Sequence, residues 1–218
     1  DALVALTRKF SEGATLFHST RDKDTVRQEV AAALQQFNEQ FLLPSRSRRE
    51  ALLQQLDEGG LTEDEVPRDI LTVLLANRAD QDLDDDMILR EVAFFMQAGS
   101  HSSANALTHS FHEINEWCRR HPEDRARLLT DDHFLQRCVH ESLRLHPASP
   151  VAWRTASEAF SLPDGTNVAA GDSVVIDLMS ANLEAPLFGE DAEVFNPHRT
   201  VAARIPPFGL SFGIGIHT

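Results

Sequence analysis

A mainly α-helical chain with a small β region is the fold class this sequence predicts, and three observations predict it. Apolar residues recur at helical spacing through the first two thirds. Residues 84–120 open on aspartates and close on Arg119 and Arg120, with Pro122 just beyond, which suits the two ends of one long helix dipole. After Pro147 the helical period gives way to short runs around a Pro163-Asp164-Gly165 turn.

The elements follow in order. Val26, Val30, Leu34, Phe37 and Phe41 line one face of a helix, and the polar run from Ser45 to Arg49 is expected to interrupt it as a solvated loop. Leu52, Leu53 and Leu56 belong to a second helix broken by Gly59-Gly60, and Pro67 is expected to open a third through Ile70, Val73 and Leu74. The long helix would extend about 50 Å at ~1.5 Å per residue, enough to cross a domain. Its middle, Ala98 to Ser103, is small and polar where a buried helix is normally apolar, and such a segment can bend or open the hydrogen-bond ladder. A short helix within residues 122–129 and another over 132–145 come next. Residues 160–168 read as a hairpin, 173–178 as a strand, and the remainder, rich in Pro, Phe and Gly, as loop. No repeat or linker divides the chain, so residues 1–218 are expected to form a single domain.

Composition narrows the function. The 34 acidic residues against 20 basic ones give a formal charge of -14, which excludes the clustered cationic surface that nucleic-acid binding needs. Cys118 and Cys138 are the only cysteines and neither lies in a Cys/His cluster, so a disulfide framework or structural zinc site is not expected and a cytoplasmic setting fits. The longest strongly apolar run, Val92 to Met96, is far below the roughly 20 residues that span a bilayer.

Glu141 and Arg144 sit three apart on one helix face and can pair, but Glu65/Arg68 and Glu116/Arg119 share that spacing, and a solvated pair explains any of them equally well. His109 and His112 with Glu113 and Glu116 offer metal-ligand chemistry without a second ligand-bearing helix. Asp80, Asp82, Asp84, Asp86 and Glu91 match the later and earlier positions of a calcium loop, yet Asp85 stands where that loop requires glycine, and the acids equally suit a helix N-terminus. A calcium-binding or helical interaction module is therefore the alternative reading.

What separates Glu141 is the ordered text after it: Leu145-His146-Pro147, Arg154, Ala181-Asn182, Phe195-Asn196-Pro197-His198-Arg199, and Phe212-Gly213-Ile214-Gly215-Ile216-His217-Thr218. That set resembles the cytochrome P-450 superfamily of haem-thiolate monooxygenases. The resemblance implies part of a triangular helical prism and a buried network of Glu141, Arg144 and Arg199. It implies haem b held by Arg154, Phe212, Gly213, Gly215 and His217, with the axial cysteine at the position directly after Thr218, so that these 218 residues alone would be inactive. Ala98-Gly99-Ser100-His101-Ser102 matches the oxygen-activation segment, with His101 replacing the usual acid and Ser102 the usual threonine; His101 is either a proton relay or a buried packing residue. The implied reaction inserts one oxygen atom of O₂ into a small apolar substrate, with Val151 and Ala152 on the pocket wall and electrons from a ferredoxin- or flavodoxin-type donor. The short step from Arg199 to Phe208 resembles the soluble bacterial members.

Overall fold

The computed structural model describes residues 2–214, and the chain divides into two compact units, Asp1–His101 and Ser102–Thr218. Among the described residues, secondary structure is mainly helical with two small antiparallel sheets.

In the first unit, α1 (Ala2–Ala14) packs against α2 (Lys23–Phe37). The Asp22 carboxylate caps α2 by accepting from the Thr25 N–H at 2.8 Å. The expected break at residues 45–49 is not there. A π-turn, Asn38–Leu42, leads directly into α3 (Leu43–Asp57), which carries Pro44 in its first turn. The arginines read as loop residues are helical and bonded to acids elsewhere in the chain: Arg46 to Glu50 and Asp85, Arg49 to Asp69. The helix α4 (Ile70–Ala76) starts three residues later than Pro67, because Asp69 is its cap and accepts from the Thr72 N–H. Leu6, Phe10, Ala33, Phe37, Leu42, Leu71, Ile88 and Ala93 form the core of this unit, and Phe10 meets Phe37 edge to face at 5.6 Å.

The long helix α5 (Asp85–Arg120) continues for 36 residues, through the polar Ala98 to Ser103 segment. Ser100 returns its hydroxyl to the Met96 carbonyl at 2.6 Å, which satisfies the polar group within the helix.

In the second unit, two 3₁₀ turns, Pro122–Asp124 and Arg127–Leu129, replace the helix expected over 122–129. They lead to α6 (Asp132–Leu145), which the Asp131 carboxylate caps through the Phe134 N–H. Strand β1 (Val151–Thr155) pairs antiparallel with β4 (Ser173–Asp177), with Trp153 opposite Val175. Between them β2 (Phe160–Ser161) and β3 (Asn167–Val168) form the expected hairpin. Two single-turn helices, α7 (Leu178–Ala181) and α8 (Ala185–Phe188), interrupt the stretch read as loop. Trp117, Phe134, Cys138, Leu145 and Phe195 make the core of this unit, which fixes the C-terminal half of α5 against α6 and the segment after α8. No helix among the described residues is long and apolar enough to cross a membrane.

Candidate functional site: a buried charge centre and the loop it holds

The inward face of α6 carries Glu141 and Arg144, and burial decides what their spacing means. Arg144 is 0% exposed and Glu141 4%. The guanidinium grips the carboxylate as a fork, Nε to Oε2 at 2.8 Å and Nη2 to Oε1 at 2.7 Å. Arg199, 58 residues further on, adds a third charge-assisted bond, Nε to Glu141 Oε1 at 2.9 Å. Its other nitrogens donate to Asp191 Oδ1, to the Asp191 and Val194 carbonyls, and to the Phe188 carbonyl. Burial alone would lower the Arg199 pKa; the bonds to Asp191 and Glu141 outweigh it and raise it. The other two pairs of the same spacing behave differently. Arg119 and Glu116 pair at the surface, and Arg68 turns to Asp64 while Glu65 closes a capping box with Thr62.

A second buried carboxylate lies nearby in sequence and was not legible there. Asp124 Oδ2 accepts from the Trp117 indole at 2.9 Å and lies 2.8 Å from His198 Nε2, and its Oδ1 accepts from Arg127 at 3.1 Å. Burial pushes its pKa up, but the bonds from His198, Trp117 and Arg127 win and hold it at about 2. The His198 ring also stacks on Phe134 at 5.4 Å. Arg127 is only three residues from Asp124, but Trp117 and His198, which bury it, are 7 and 74 residues away.

Arg144 has one more donor, and it leads to the loop of residues 206–213. Nη1 donates to the Asn182 carbonyl at 2.6 Å, while the Asn182 carboxamide donates to the Arg144 carbonyl at 3.0 Å and accepts from the Leu210 N–H at 2.7 Å. The loop itself is a chain of turns: Gly209 N–H to Pro206, Ser211 N–H to Phe208, Gly213 N–H to Leu210. At its end Phe212 is 61% exposed against the edge of Phe208, and Gly213 has φ of +76° with open space where a Cβ would stand.

The remaining sequence candidates are placed as follows. Arg154 is exposed on β1, its guanidinium donating to the Trp153 carbonyl, with no carboxylate partner among the described residues. No hydrogen bond or ring contact joins it to Phe212 or Gly213 among the described residues. Val151 and Ala152 are on β1, opposite Asp177 and Ile176. His101 is exposed and Ser102 half-buried on α5; Ala98 and Gly99 are one turn earlier, Gly99 with open space beside it. Gly215, His217 and Thr218 lie outside the described residues.

The metal alternatives fare differently. Of the acids read as a calcium loop, Asp84 caps α5 through the Met87 N–H and Asp86 pairs with Arg90, while Asp85, at the position where that loop requires glycine, pairs with Arg46 and Arg78. Among the described residues no group of three or more His, Cys, Asp and Glu is arranged to hold a metal ion. Within the first unit, Phe10, Leu16, Val26, Val30, Leu34 and Phe94 line an apolar groove of about 590 Å³.

The cytochrome P450 family model matches residues 14–217. The chain belongs to the cytochrome P450 family. Its similarity to human cytochrome P450 4F11 is 30% identity over 172 residues, covering 67% of this chain and 32% of that protein. For rat cytochrome P450 4F4 the identity is 28% over 224 residues, 91% of this chain and 38% of that one. The chain thus spans about a third of the length of the curated relatives it matches. In fold it is similar to the crystal structure of CalO2, with a TM-score of 0.66 at 19% identity over 98% of this chain and 47% of that one. The fold is that of the cytochromes P450, and the relatives include mammalian and fungal enzymes, so bacterial kinship does not follow from them.

Cytochromes P450 use haem b. The residues present fit such a group on chemical grounds: an exposed aromatic ring and an open glycine suit a flat apolar face, and an exposed guanidinium with no carboxylate partner among the described residues suits an anionic edge. Neither cysteine of the chain fits the sulfur ligand. Cys138 is buried in the core with its thiol pushed up to about 12 by desolvation, and burial raises Cys118 as well, whereas a metal ligand must be a thiolate.

Proposed function

We propose that this chain forms part of a haem-thiolate monooxygenase that inserts one oxygen atom of O₂ into a small apolar substrate, with electrons from a ferredoxin- or flavodoxin-type donor in a cytoplasmic setting. The observation that carries the reading is the Glu141 carboxylate shared by Arg144 and Arg199, with Arg144 bonded in turn to Asn182, whose side chain holds the loop of residues 206–213. A buried ionic centre of this kind adds little net stability, because desolvation offsets most of the attraction; its use is to fix geometry. Here it fixes the two segments that present Phe212 and Gly213.

Bound haem, ligated by a thiolate, would supply oxygen activation, with the sulfur's electron density favouring O–O cleavage. Arg154 would hold the anionic edge, while Phe212 and Gly213 would give the backbone close approach to the ring; Gly215 and His217 are assigned to haem binding by the family resemblance. The sulfur is assigned to a cysteine directly after Thr218 in the longer protein, and a polypeptide of these 218 residues alone is expected to be inactive. On α5, His101 would hold or pass a proton next to Ser102, within reach of solvent because its side chain is exposed. The groove lined by Phe10, Val26 and Phe94 supports an apolar substrate, since burying such a ligand there removes apolar surface from water on both sides. One domain over residues 1–218, incomplete relative to the family, is part of this proposal.

The test is the carbon monoxide difference spectrum of the reduced longer protein. A thiolate-type band is expected, and absence of haem binding would overturn the reading. His101→Ala should lower the fraction of electrons recovered as product and alter its pH profile; unchanged coupling would leave His101 an exposed helix residue with no part in proton transfer, the buried packing role being already contradicted by its exposure.

A further inference from the structure

Asn182 is 0% exposed, and the ionic centre does not by itself explain why a carboxamide stands there. Its side chain has two donor hydrogens and an acceptor oxygen, and all are engaged, one with the end of α6 and two with the loop of residues 206–213. Nδ2 donates to the Arg144 carbonyl at 3.0 Å and to Ser211 Oγ at 3.3 Å, and Oδ1 accepts from the Leu210 N–H at 2.7 Å. The Ser211 hydroxyl in turn reaches the Leu143 carbonyl at 2.7 Å and that of Phe208 at 2.8 Å. Across the contact is Gly209, at φ of +59°, where a Cβ would come within 2.2 Å of Asn182 Oδ1 and 2.7 Å of Cγ. No side chain fits there while Asn182 keeps its place.

We propose that Asn182 is the positioning residue of the loop 206–213: it transmits the location of Arg144 to the Phe212-Gly213 edge, and Gly209 is the hollow that receives it. The proposal rests on the reading that this loop faces haem, and its physical content is separable from that reading. An aspartate would turn two donors into acceptors facing carbonyl and hydroxyl oxygens. A leucine of similar volume would strand the Leu210 N–H and the Arg144 carbonyl in the interior.

The experiment uses the longer protein with Asn182→Leu, Asn182→Ala, Gly209→Ala, the Gly209→Ala/Asn182→Ala double variant, and Ser211→Ala as a milder change. Two readouts are taken: the ratio of thiolate-type to non-thiolate carbon monoxide spectra, and hydrogen exchange at the Leu210 amide, which needs no haem. Asn182→Leu should lower the ratio and the Leu210 protection on the order of tenfold with helix content retained. Ser211→Ala should move both in the same direction by less. In the double variant the losses should be less than the two single losses combined, because Asn182→Ala removes the atoms that Gly209→Ala strikes. Additive losses, or Leu210 protection unchanged in Asn182→Leu, would overturn the proposal. A wild-type protein with no thiolate-type spectrum would overturn the monooxygenase reading instead, while the exchange data would still decide the role of Asn182.

Discussion

The two compact units place their charges in opposite ways. In Asp1–His101 the ionic contacts ring an apolar core: Lys9 and Arg21, 41% and 44% exposed, share Glu29, and Arg78 meets Asp85 in solvent. In Ser102–Thr218 the interior itself holds charge, with Glu141, Arg144 and Asp124 buried among Phe134, Phe195 and Trp117. The difference teaches where specificity is stored. An exposed pair gives up little when it is broken, since water replaces the partner. A buried carboxylate between two guanidiniums has no such substitute, so its loss must disturb every segment it joins.

That contrast can be broken or sharpened by substitution. The largest effects are expected from Glu141→Ala, about 3–5 kcal/mol, because the fully buried Arg144 would lose its carboxylate partner and Arg199 would keep only Asp191. Chemical denaturation followed by circular dichroism checks it. In the first unit the same range, about 3–5 kcal/mol, is expected from an apolar deletion, Phe37→Ala, which removes the ring packed on Phe10 and Phe41. Asp124→Asn should come next at about 1.5–3 kcal/mol, since it weakens charge-assisted bonds from Arg127 and His198 while sparing shape. Its pH signature has a defined sign. The folded value of about 2 lies below the ordinary 3.8, so the stabilisation is present above pH 3.8 and is lost as pH falls through about 2. In Asp124→Asn that part of the acid limb should flatten. The smallest effect, and one reduced further by salt, is expected from Glu29→Gln at the surface. If Glu29→Gln matched Glu141→Ala, the contrast between the units would be gone.

Much of this arrangement is legible in the sequence wherever the cause is local. The ends of α5 follow from its aspartates, arginines and Pro122; α6 follows from the Asp131 cap and Pro147; the hairpin follows from Pro163-Asp164-Gly165. What escapes is held by distant partners. Arg46 and Arg49 look like a solvated loop until Asp85 and Asp69 are beside them. Strand β1 has no turn signal tying it to β4, and its register is set only when the intervening hairpin brings Ser173 opposite Thr155. Asp124 is one acid in a run of charged residues, and its burial depends on Trp117 and His198. Asn182 is visible as a letter in an ordered motif, but its four-way engagement is a property of the folded loop.

The central claim is that the Glu141 charge, rather than its bulk, holds the segments that position the loop of residues 206–213. Glu141→Gln in the longer protein keeps the shape and removes the charge, and its reduced carbon monoxide difference spectrum is the direct test. The expected result is loss of most of the thiolate-type band with helical circular dichroism retained; a band of wild-type size and position would contradict the claim.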